Sequence, residues 1–240
     1  MKKYALYAIG EVVLVVIGIL IALQINNANE HRLQREREVG FLENLRSDSK
    51  INLAELNSFL VMRKDRIASA EQMVRYFDGE PVEKLEDFVY HNIHVQLWQK
   101  FYQNNNTYQE PVNSGNLGIL SNSSIKGALL DLELLYKKMK SDEDHMRFDF
   151  EGYVFTPFFD TIDLDPMTKS YVYTATDGQS GAQAPISRED VDKLLNDMRF
   201  KNGFVLAIYM YNVINTRFEE LTSKTEHLIE LIDNEISGTP

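Results

Sequence analysis

The sequence predicts an all-α protein in which an N-terminal transmembrane helix continues into an antiparallel bundle of long helices with one irregular loop insertion. Three observations lead to this prediction. The chain begins with an apolar run long enough to cross a bilayer. Long segments without glycine or proline then repeat apolar residues every three or four positions. The sequence contains neither an alternating β/α pattern nor a glycine-rich phosphate loop.

The composition narrows the possible classes of protein. The 240 residues carry 36 acidic and 25 basic side chains, which gives a formal net charge of −11. This balance argues against a nucleic-acid-binding protein, because such a protein needs a basic surface to neutralise phosphates. The chain has no cysteine, which excludes thiol catalysis, disulfide bonds and cysteine-ligated metals.

The first element is the apolar run from Tyr4 to Ile25, which carries a single charge, Glu11. As a helix this run spans about 33 Å, enough to cross a hydrocarbon layer of roughly 30 Å. A cleaved signal peptide is the alternative, but the stretch after the run lacks a good small-x-small cleavage site. We therefore predict an uncleaved signal anchor with its transmembrane helix at residues 4–26, preceded by a short cytoplasmic tail at residues 1–3.

Glu11 is predicted to lie inside the bilayer, because the apolar run after it covers only about 21 Å. An ionisable group there is costly unless it is protonated, paired or facing another helix. The other residues on its helix face are mostly small: Ala8, Val15, Gly18 and Ala22. Because small residues let two helices approach closely, we predict a helix–helix contact face. A protonated, merely tolerated Glu11 and a role in proton or ion coupling are the alternatives.

The orientation of the anchor follows weakly from charge. Three positive charges lie on each side of the span, so the positive-inside rule gives a tie. The absence of cysteine favours an exported domain. We expect a single-pass protein of the bacterial inner membrane with most of the chain in the periplasm.

The remainder is predicted to be a charged, helical juxtamembrane stalk at residues 27–40 and a helical bundle domain at residues 41–240. Glycine and proline divide the bundle into helical segments. These segments are 41–77, 82–103, 107–113, 125–153, 187–196 and 200–236. The first and last carry the most regular apolar stripes, which predicts that they pack antiparallel, as in a coiled coil. Residues 157–186 are predicted to be an irregular insertion, with a short extended piece at 171–174.

Two motifs near the N-terminus carry a resemblance to a known family. They are Tyr7-Ala8-Ile9-Gly10-Glu11 and the run from Gly18 to Glu30, GILIALQINNANE. In both, the chain resembles the domain of unknown function 6090 family, and Thr107-Tyr108 with Ser114-Gly115-Asn116-Leu117 is similar to a second family feature. The resemblance implies an uncharacterised single-span envelope protein of Gram-negative bacteria. It implies no activity, catalytic residue or ligand, and Ala28 departs from the tryptophan usual in the family.

Candidate binding residues lie mainly in the segment from 82 to 108. A group of aromatic residues either lines a small apolar pocket or belongs to the core: Trp98, Phe101, Tyr102 and Tyr108. His91 and His94 have the spacing of a metal pair one turn after Asp87, but two imidazoles alone do not make a metal site. We expect two partly exposed helix histidines and no metal.

Acidic clusters are the other candidates. Asp160, Asp163 and Asp165 lack the spacing and the glycine of a calcium loop, so we expect a solvated loop. The run Asp142-Glu143-Asp144 is interpreted as an exposed acidic patch.

These observations predict a non-enzymatic, membrane-anchored bundle that acts through protein–protein contacts in the cell envelope and needs no cofactor. Its expected partners are the lipid bilayer and, through the transmembrane helix, another membrane protein or a second copy of itself; nucleic acid is not expected. One alternative is a periplasmic sensory or ligand-binding bundle, which would need a separate signal transducer. Another is a subunit of an ion-coupled envelope machine that uses Glu11.

Overall fold

A computed structural model describes residues 2–113 and 117–238 of the chain. Side chains are described at residues 10 and 11, 13–109 and 117–238. Ser114-Gly115-Asn116, part of the second family-like feature, and the side chain of Ala8 therefore lie outside the described part.

The prediction of an all-α fold is confirmed for the described residues, which contain helices and no strand. The α-helices are α1 (Lys2–Phe77), α2 (Leu85–Gln96), α3 (Asn106–Asn113), α4 (Ser123–Phe150), α5 (Thr156–Thr161), α6 (Leu164–Ala175), α7 (Arg188–Leu195) and α8 (Met198–Ser237). A 3₁₀ turn spans Leu117–Ile119, and a π-helical turn at Glu151–Phe155 joins α4 to α5. Long helices that pack together therefore form the framework of the protein.

Helix α1 runs without a break from the apolar segment through the stalk and along the bundle. Its 76 residues correspond to a length of about 110 Å. It ends at Phe77, where Gly79 takes a φ of +103° that side-chain-bearing residues rarely adopt. The predicted continuity between anchor, stalk and first bundle helix is therefore observed.

Helix α8 lies antiparallel to α1, and contacts along its whole length define this arrangement. Arg46 near the start of the bundle pairs with Asp233, whereas Phe77 at the end of α1 packs its ring against Phe200. The α8 N-terminus is capped by Asp197, whose carboxylate accepts the backbone N–H groups of two first-turn residues. Helix α4 packs along α8, and the apolar stripes of α1, α4 and α8 together form the core.

The predicted irregular insertion at residues 157–186 is largely wrong, because α5 and α6 occupy residues 156–175. Tyr171–Thr174, predicted to be extended, lies within α6. Pro157 and Pro166 both sit in the first turn of a helix, where proline is tolerated, so neither prevents helix formation. Asp163 caps α6 by accepting the Asp165 N–H, and the residues of the predicted insertion that lie outside helices are 162–163 and 176–186.

The second predicted helix is also shorter than expected. It ends at Gln96, and residues 97–105 form no regular structure. Asn52 of α1 binds this segment by donating to the Asn104 carbonyl at 2.8 Å and accepting the Asn104 N–H at 2.7 Å. Because these bonds use the backbone groups that a helix needs, they hold the segment against α1 in a non-helical conformation.

Candidate functional site

The apolar part of α1 projects beyond the bundle. Residues 10, 11 and 13–34 are exposed, and burial against the bundle begins near Arg35. The large apolar side chains of this segment are between 48% and 71% exposed. They are Val13, Leu14, Val15, Val16, Ile17, Ile19, Leu20, Ile21, Leu23 and Ile25. Transferring each of these side chains from water into an apolar environment would be favourable by about 1.5–3 kcal/mol. Exposure of the whole segment to water would therefore be strongly unfavourable.

Among the described residues, α1 is the helix that is long and apolar enough to cross a membrane. Its most apolar window has a mean hydropathy of 1.5, and none of that window is buried within the chain. A core helix of a water-soluble protein passes the same length and composition test but is mostly buried. The exposure of this segment is therefore the feature that separates the two cases.

The predicted contact face is exposed where it is described. Glu11, Val15, Gly18 and Ala22 all lie open on the projecting segment. A Cβ added at Gly18 would meet no heavy atom within 4 Å, other than those of its own helix backbone. The described part of the chain thus leaves this face accessible, and its contact with another helix stays a prediction.

A polar junction fixes the projecting segment to the bundle where α1 enters it. Glu38 is only 3% exposed and accepts hydrogen bonds from the Arg35 guanidinium and the Ser121 N–H before α4. Arg35 also pairs with Glu235 near the end of α8 at 2.8 Å. Asn122, the α4 N-cap, donates to the same Glu235 carboxylate at 2.7 Å. The N-terminus of α4 and the C-terminal end of α8 are therefore joined to the middle of α1 through one set of charges and hydrogen bonds.

Burial acts to raise the pKa of Glu38, but the bonds from Ser121 and Arg35 outweigh it, and the pKa of Glu38 is lowered. Glu38 is therefore a carboxylate held in its charged form. Together with the unbroken helix of α1, this junction makes the connection between the projecting segment and the bundle rigid.

The centre of the bundle holds an ion pair that the sequence analysis missed. Arg63 of α1 and Glu143 of α4 are 2% and 1% exposed, and Arg63 Nη2 lies 2.5 Å from Glu143 Oε1. Burial lowers the pKa of Arg63 and raises the pKa of Glu143, while their mutual attraction opposes both changes. The prediction that Asp142-Glu143-Asp144 is an exposed patch is wrong for Glu143.

A sequence signal for this pair existed. Glu143 continues the buried stripe of α4. Met139 precedes it by four residues, Met146 follows it by three, and Phe150 follows Met146 by four; all three are buried. Arg63 similarly follows the buried Phe59 by four residues. A charge on an otherwise apolar stripe, matched by an opposite charge on another stripe, would have indicated a buried pair.

The predicted aromatic pocket does not form, because the structure places its four residues in different surroundings. Phe101 is in the core, with ring centroids within 6 Å of those of Phe59, Tyr136 and Phe218. Tyr102 is 73% exposed. Trp98 is half-buried beneath Arg147, whose guanidinium carbon lies 5.7 Å from its ring.

Tyr108, the fourth residue, is buried beside a small cavity enclosed mainly by α1, α4, α8 and the 103–105 segment. The cavity has a volume of about 20 Å³. That volume is enough for one water molecule, whereas ligand pockets usually measure about 300–1,000 Å³. The core interpretation of these aromatic residues is therefore the better one for Phe101 and Tyr108.

The two predicted histidines share one partner on α1. The Ser69 hydroxyl lies 2.9 Å from His94 Nδ1 and 3.2 Å from His91 Nδ1. Both rings are half-buried, and burial lowers the pKa of each. No group of three or more acidic or histidine side chains suited to a metal ion occurs among the described residues.

The predicted solvated acids near residue 160 have helix-end roles. Asp163 caps α6, and Asp165 pairs with Lys169 one turn later at 2.6 Å. The outer members of the other acidic run are also paired: Asp142 with Arg217, and Asp144 with Lys100.

Comparison with known proteins adds one finding. Residues 11–174 match the sequence profile of a family described as "Family of unknown function (DUF6090)". The match runs from the acidic residue of the projecting segment into the last turn of α6, and thus includes the buried ion pair and the α1 and α4 side of the polar junction, but not Glu235 of α8. Neither a curated protein nor a solved structure matches the chain.

Proposed function

The chain belongs to the family of unknown function DUF6090, and on that premise we propose that it is a non-enzymatic, membrane-anchored bundle protein that acts through protein–protein contacts. The observation that carries the proposal is the projecting segment of α1. It is apolar, uncovered by the described residues and joined to the bundle without a flexible link.

The bilayer is the occupant that fits the side chains of this segment. Lipid tails cover apolar groups on every side of a helix, and all backbone groups of a helix are bonded within it. The anchor would then lie in the inner membrane, with the bundle on its periplasmic side. Because α1 is continuous, the bundle would be held at a fixed distance from the membrane surface.

Partner binding through the anchor is supported by the face that contains Glu11, Gly18 and Ala22. A carboxyl group in lipid is stabilised by facing a donor on another helix. Small residues beside it permit close backbone approach, which is how helices associate where no hydrophobic effect drives them together. The partner would be another membrane protein or a second copy of the chain.

The polar groups inside the bundle support a structural rather than a catalytic role for it. Arg63, Glu143 and Ser69 are each at most 3% exposed, so a substrate could not reach them without opening the core. The cavity beside Tyr108 is too small for a ligand of ordinary size, so it offers no support for the sensory alternative.

Site-specific photo-crosslinking in native membranes tests the proposal. A photoreactive residue at Ala22 reports on the proposed face, and one at Leu20 reports on the opposite side of the same turn. We expect adducts from Ala22 and few from Leu20, with mass spectrometry distinguishing a second copy from another protein. Equal adduct formation at the two positions would contradict a specific face.

Two variants then probe the face itself. Gly18→Leu should reduce the Ala22 adducts because it blocks close approach, whereas the matched enlargement Val13→Leu on the other side should not. Glu11→Gln keeps hydrogen-bonding capacity but cannot carry a charge. Preserved adducts together with loss of cellular function in Glu11→Gln would instead favour ion coupling.

A further inference from the structure

The histidines of α2 meet α1 at a single hydroxyl group. Ser69 is 3% exposed and lies within hydrogen-bond distance of both His91 Nδ1 and His94 Nδ1. A serine hydroxyl has one hydrogen to donate and two lone pairs with which to accept. With neutral rings, Ser69 therefore donates to one Nδ1 and accepts the Nδ1–H of the other, so that each ring carries its proton on a different nitrogen.

This cluster lies where three helices meet. Helix α2 packs against α1 on one side and against α6 on the other. Tyr90 of α2 links the two contacts, since its ring lies 5.3 Å from that of His94 and stacks on Tyr171 of α6 at 5.8 Å. A change at the histidines is therefore transmitted to the position of α6.

The charges around the rings come from α1 and α2. Asp87 of α2 and Asp65 of α1 favour protonation of His91 and His94 respectively, whereas Arg75 and Arg66 of α1 oppose it. Helix α6 contributes the phenol of Tyr171, and α1 places the ring of Tyr76 at 6.5 Å from His91. Arg66 is itself 3% exposed, so its charge acts across a poorly hydrated region.

We propose that Ser69, His91 and His94 form an acid-sensitive latch that holds α2, and with it α6, against α1. Protonation converts the accepting Nδ1 into a second donor aimed at the same serine oxygen. It also places two imidazolium groups next to each other, with the charge of Arg66 acting on His94 and that of Arg75 acting on His91. Both effects weaken the docking of α2, while solvation of the charged rings favours its release.

The sign of the pH effect follows from linkage. Burial lowers the pKa of both histidines in the docked state, so the undocked state binds more protons. The contribution of the latch is complete above the ordinary histidine pKa of about 6.5 and decreases as the pH falls below it. Where both rings titrate, the undocking constant would rise by up to about 100-fold per pH unit.

Trp98 provides the measurement, because it is the single tryptophan and follows α2 by two residues. Its emission in the full-length chain in detergent micelles is recorded between pH 8 and pH 5. We expect a shift to longer wavelength below pH 6.5. The double variant His91→Gln/His94→Gln should lose this transition, because glutamine can bind Ser69 but does not titrate. The matched variant His145→Gln/His227→Gln changes two exposed histidines and should retain it.

Ser69→Ala keeps the result interpretable if the glutamine variant fails to fold. This variant removes the hydrogen-bonding partner of the neutral rings and so weakens the docking of α2. The transition should therefore occur at a higher pH. A transition that persists in the double glutamine variant, an unchanged midpoint in Ser69→Ala, or no transition in the unmodified chain would each overturn the proposal.

Discussion

Arg63 and Glu143 lie 80 positions apart in the sequence and form an ion pair of 2.5 Å in the centre of the bundle. The Arg63 guanidinium also lies over the ring of Phe218 on α8, with its carbon 3.9 Å from the ring centroid. Glu143 Oε1 additionally accepts the Phe101 N–H at 3.5 Å. One pair of side chains thus connects α1, α4, α8 and the irregular segment after α2, and it fixes the register in which they pack.

Removing one charge of this pair should destabilise the bundle strongly. Glu143→Gln leaves Arg63 buried without a compensating charge, which we expect to lower the free energy of unfolding by about 3–5 kcal/mol. Replacing both partners with methionine removes the uncompensated charge, so the double variant should be more stable than Glu143→Gln. Denaturant unfolding of the full-length protein in micelles measures both.

The neighbouring Asp144→Asn is the matched control, because Asp144 is exposed and its contact with Lys100 is a surface pair. Its effect should stay within about 1 kcal/mol. Equal losses in Glu143→Gln and in the double methionine variant would mean that packing, rather than unpaired charge, determines stability at this position.

Gly203 gives a second prediction, because α8 approaches the π-helical turn most closely there. A Cβ at this position would lie 2.8 Å from the Tyr153 carbonyl oxygen and 2.7 Å from Val154 Cγ2. The Tyr153 carbonyl oxygen belongs to the backbone and cannot rotate away as a side chain could. Gly203→Ala should therefore lower the unfolding free energy by about 1–3 kcal/mol.

Gly127 of α4 is the control for Gly203, since no heavy atom beyond its own helix backbone lies within 4 Å of its Cβ position. Gly127→Ala should raise stability by up to about 1 kcal/mol through helix propensity. The two glycine-to-alanine changes are thus expected to have opposite signs in the same unfolding assay. A stabilised Gly203→Ala would show that α8 moves away from the turn at little cost.

The sequence predicted the long helices well because their apolar stripes are local patterns. The stripes of α1 and α8 appear in the core where their spacing placed them. It predicted the ends of elements poorly where tertiary contacts override the local preference. The sequence predicts that residues 97–103 continue the second helix, but Asn52 binds both backbone groups of the neighbouring Asn104, and the segment is irregular.

The same difference between local patterns and tertiary contacts explains which features of the candidate sites the sequence could predict. The partial exposure of His91 and His94 followed from their place on an amphipathic helix, but the shared contact with Ser69 depends on how α2 docks. The ion pair at Glu143 depends equally on packing, because an acid in a charged run is exposed more often than not. The sequence feature that indicates burial of Glu143 is the apolar stripe of α4 to which this residue belongs.

Glu38 leads to a prediction about acid stability. Its pKa is lowered in the folded protein, so the unfolded chain binds more protons in acid. Its contribution is present above the ordinary value of 4.5 and is lost as the pH falls through the folded pKa. Glu38→Gln should therefore reduce the unfolding free energy at pH 7, by about 1.5–3 kcal/mol, and by less at pH 4.

The control for Glu38 is Glu36→Gln, which alters an exposed carboxylate paired with Arg32 on the same helix. Its effect should be small at both pH values. If the stability of Glu38→Gln depended on pH in the same way as that of the unmodified chain, the junction would not be a source of acid sensitivity.

Truncation tests whether the projecting segment and the bundle are separate structural units. Residues 13–34 are exposed, whereas Arg35 and Glu38 belong to the polar junction. A chain that begins at Asn29 should therefore be soluble without detergent, with an unfolding free energy within about 1 kcal/mol of the full-length value. The full-length chain should remain in the membrane pellet through high-salt and alkaline washes and be released by detergent, because apolar contact rather than charge would hold it there.

A second truncation locates the boundary. A chain that begins at Val39 also loses Arg35 and Glu38, and with them the bonds to Ser121 and Glu235. It should be soluble as well but less stable than the Asn29 chain, by roughly 2–4 kcal/mol for the lost charged hydrogen bonds. Equal stability of the two truncated chains would place the boundary beyond the junction, and aggregation of both would mean that the apolar segment helps the bundle to fold. Release of the full-length chain by salt alone would contradict the anchor itself.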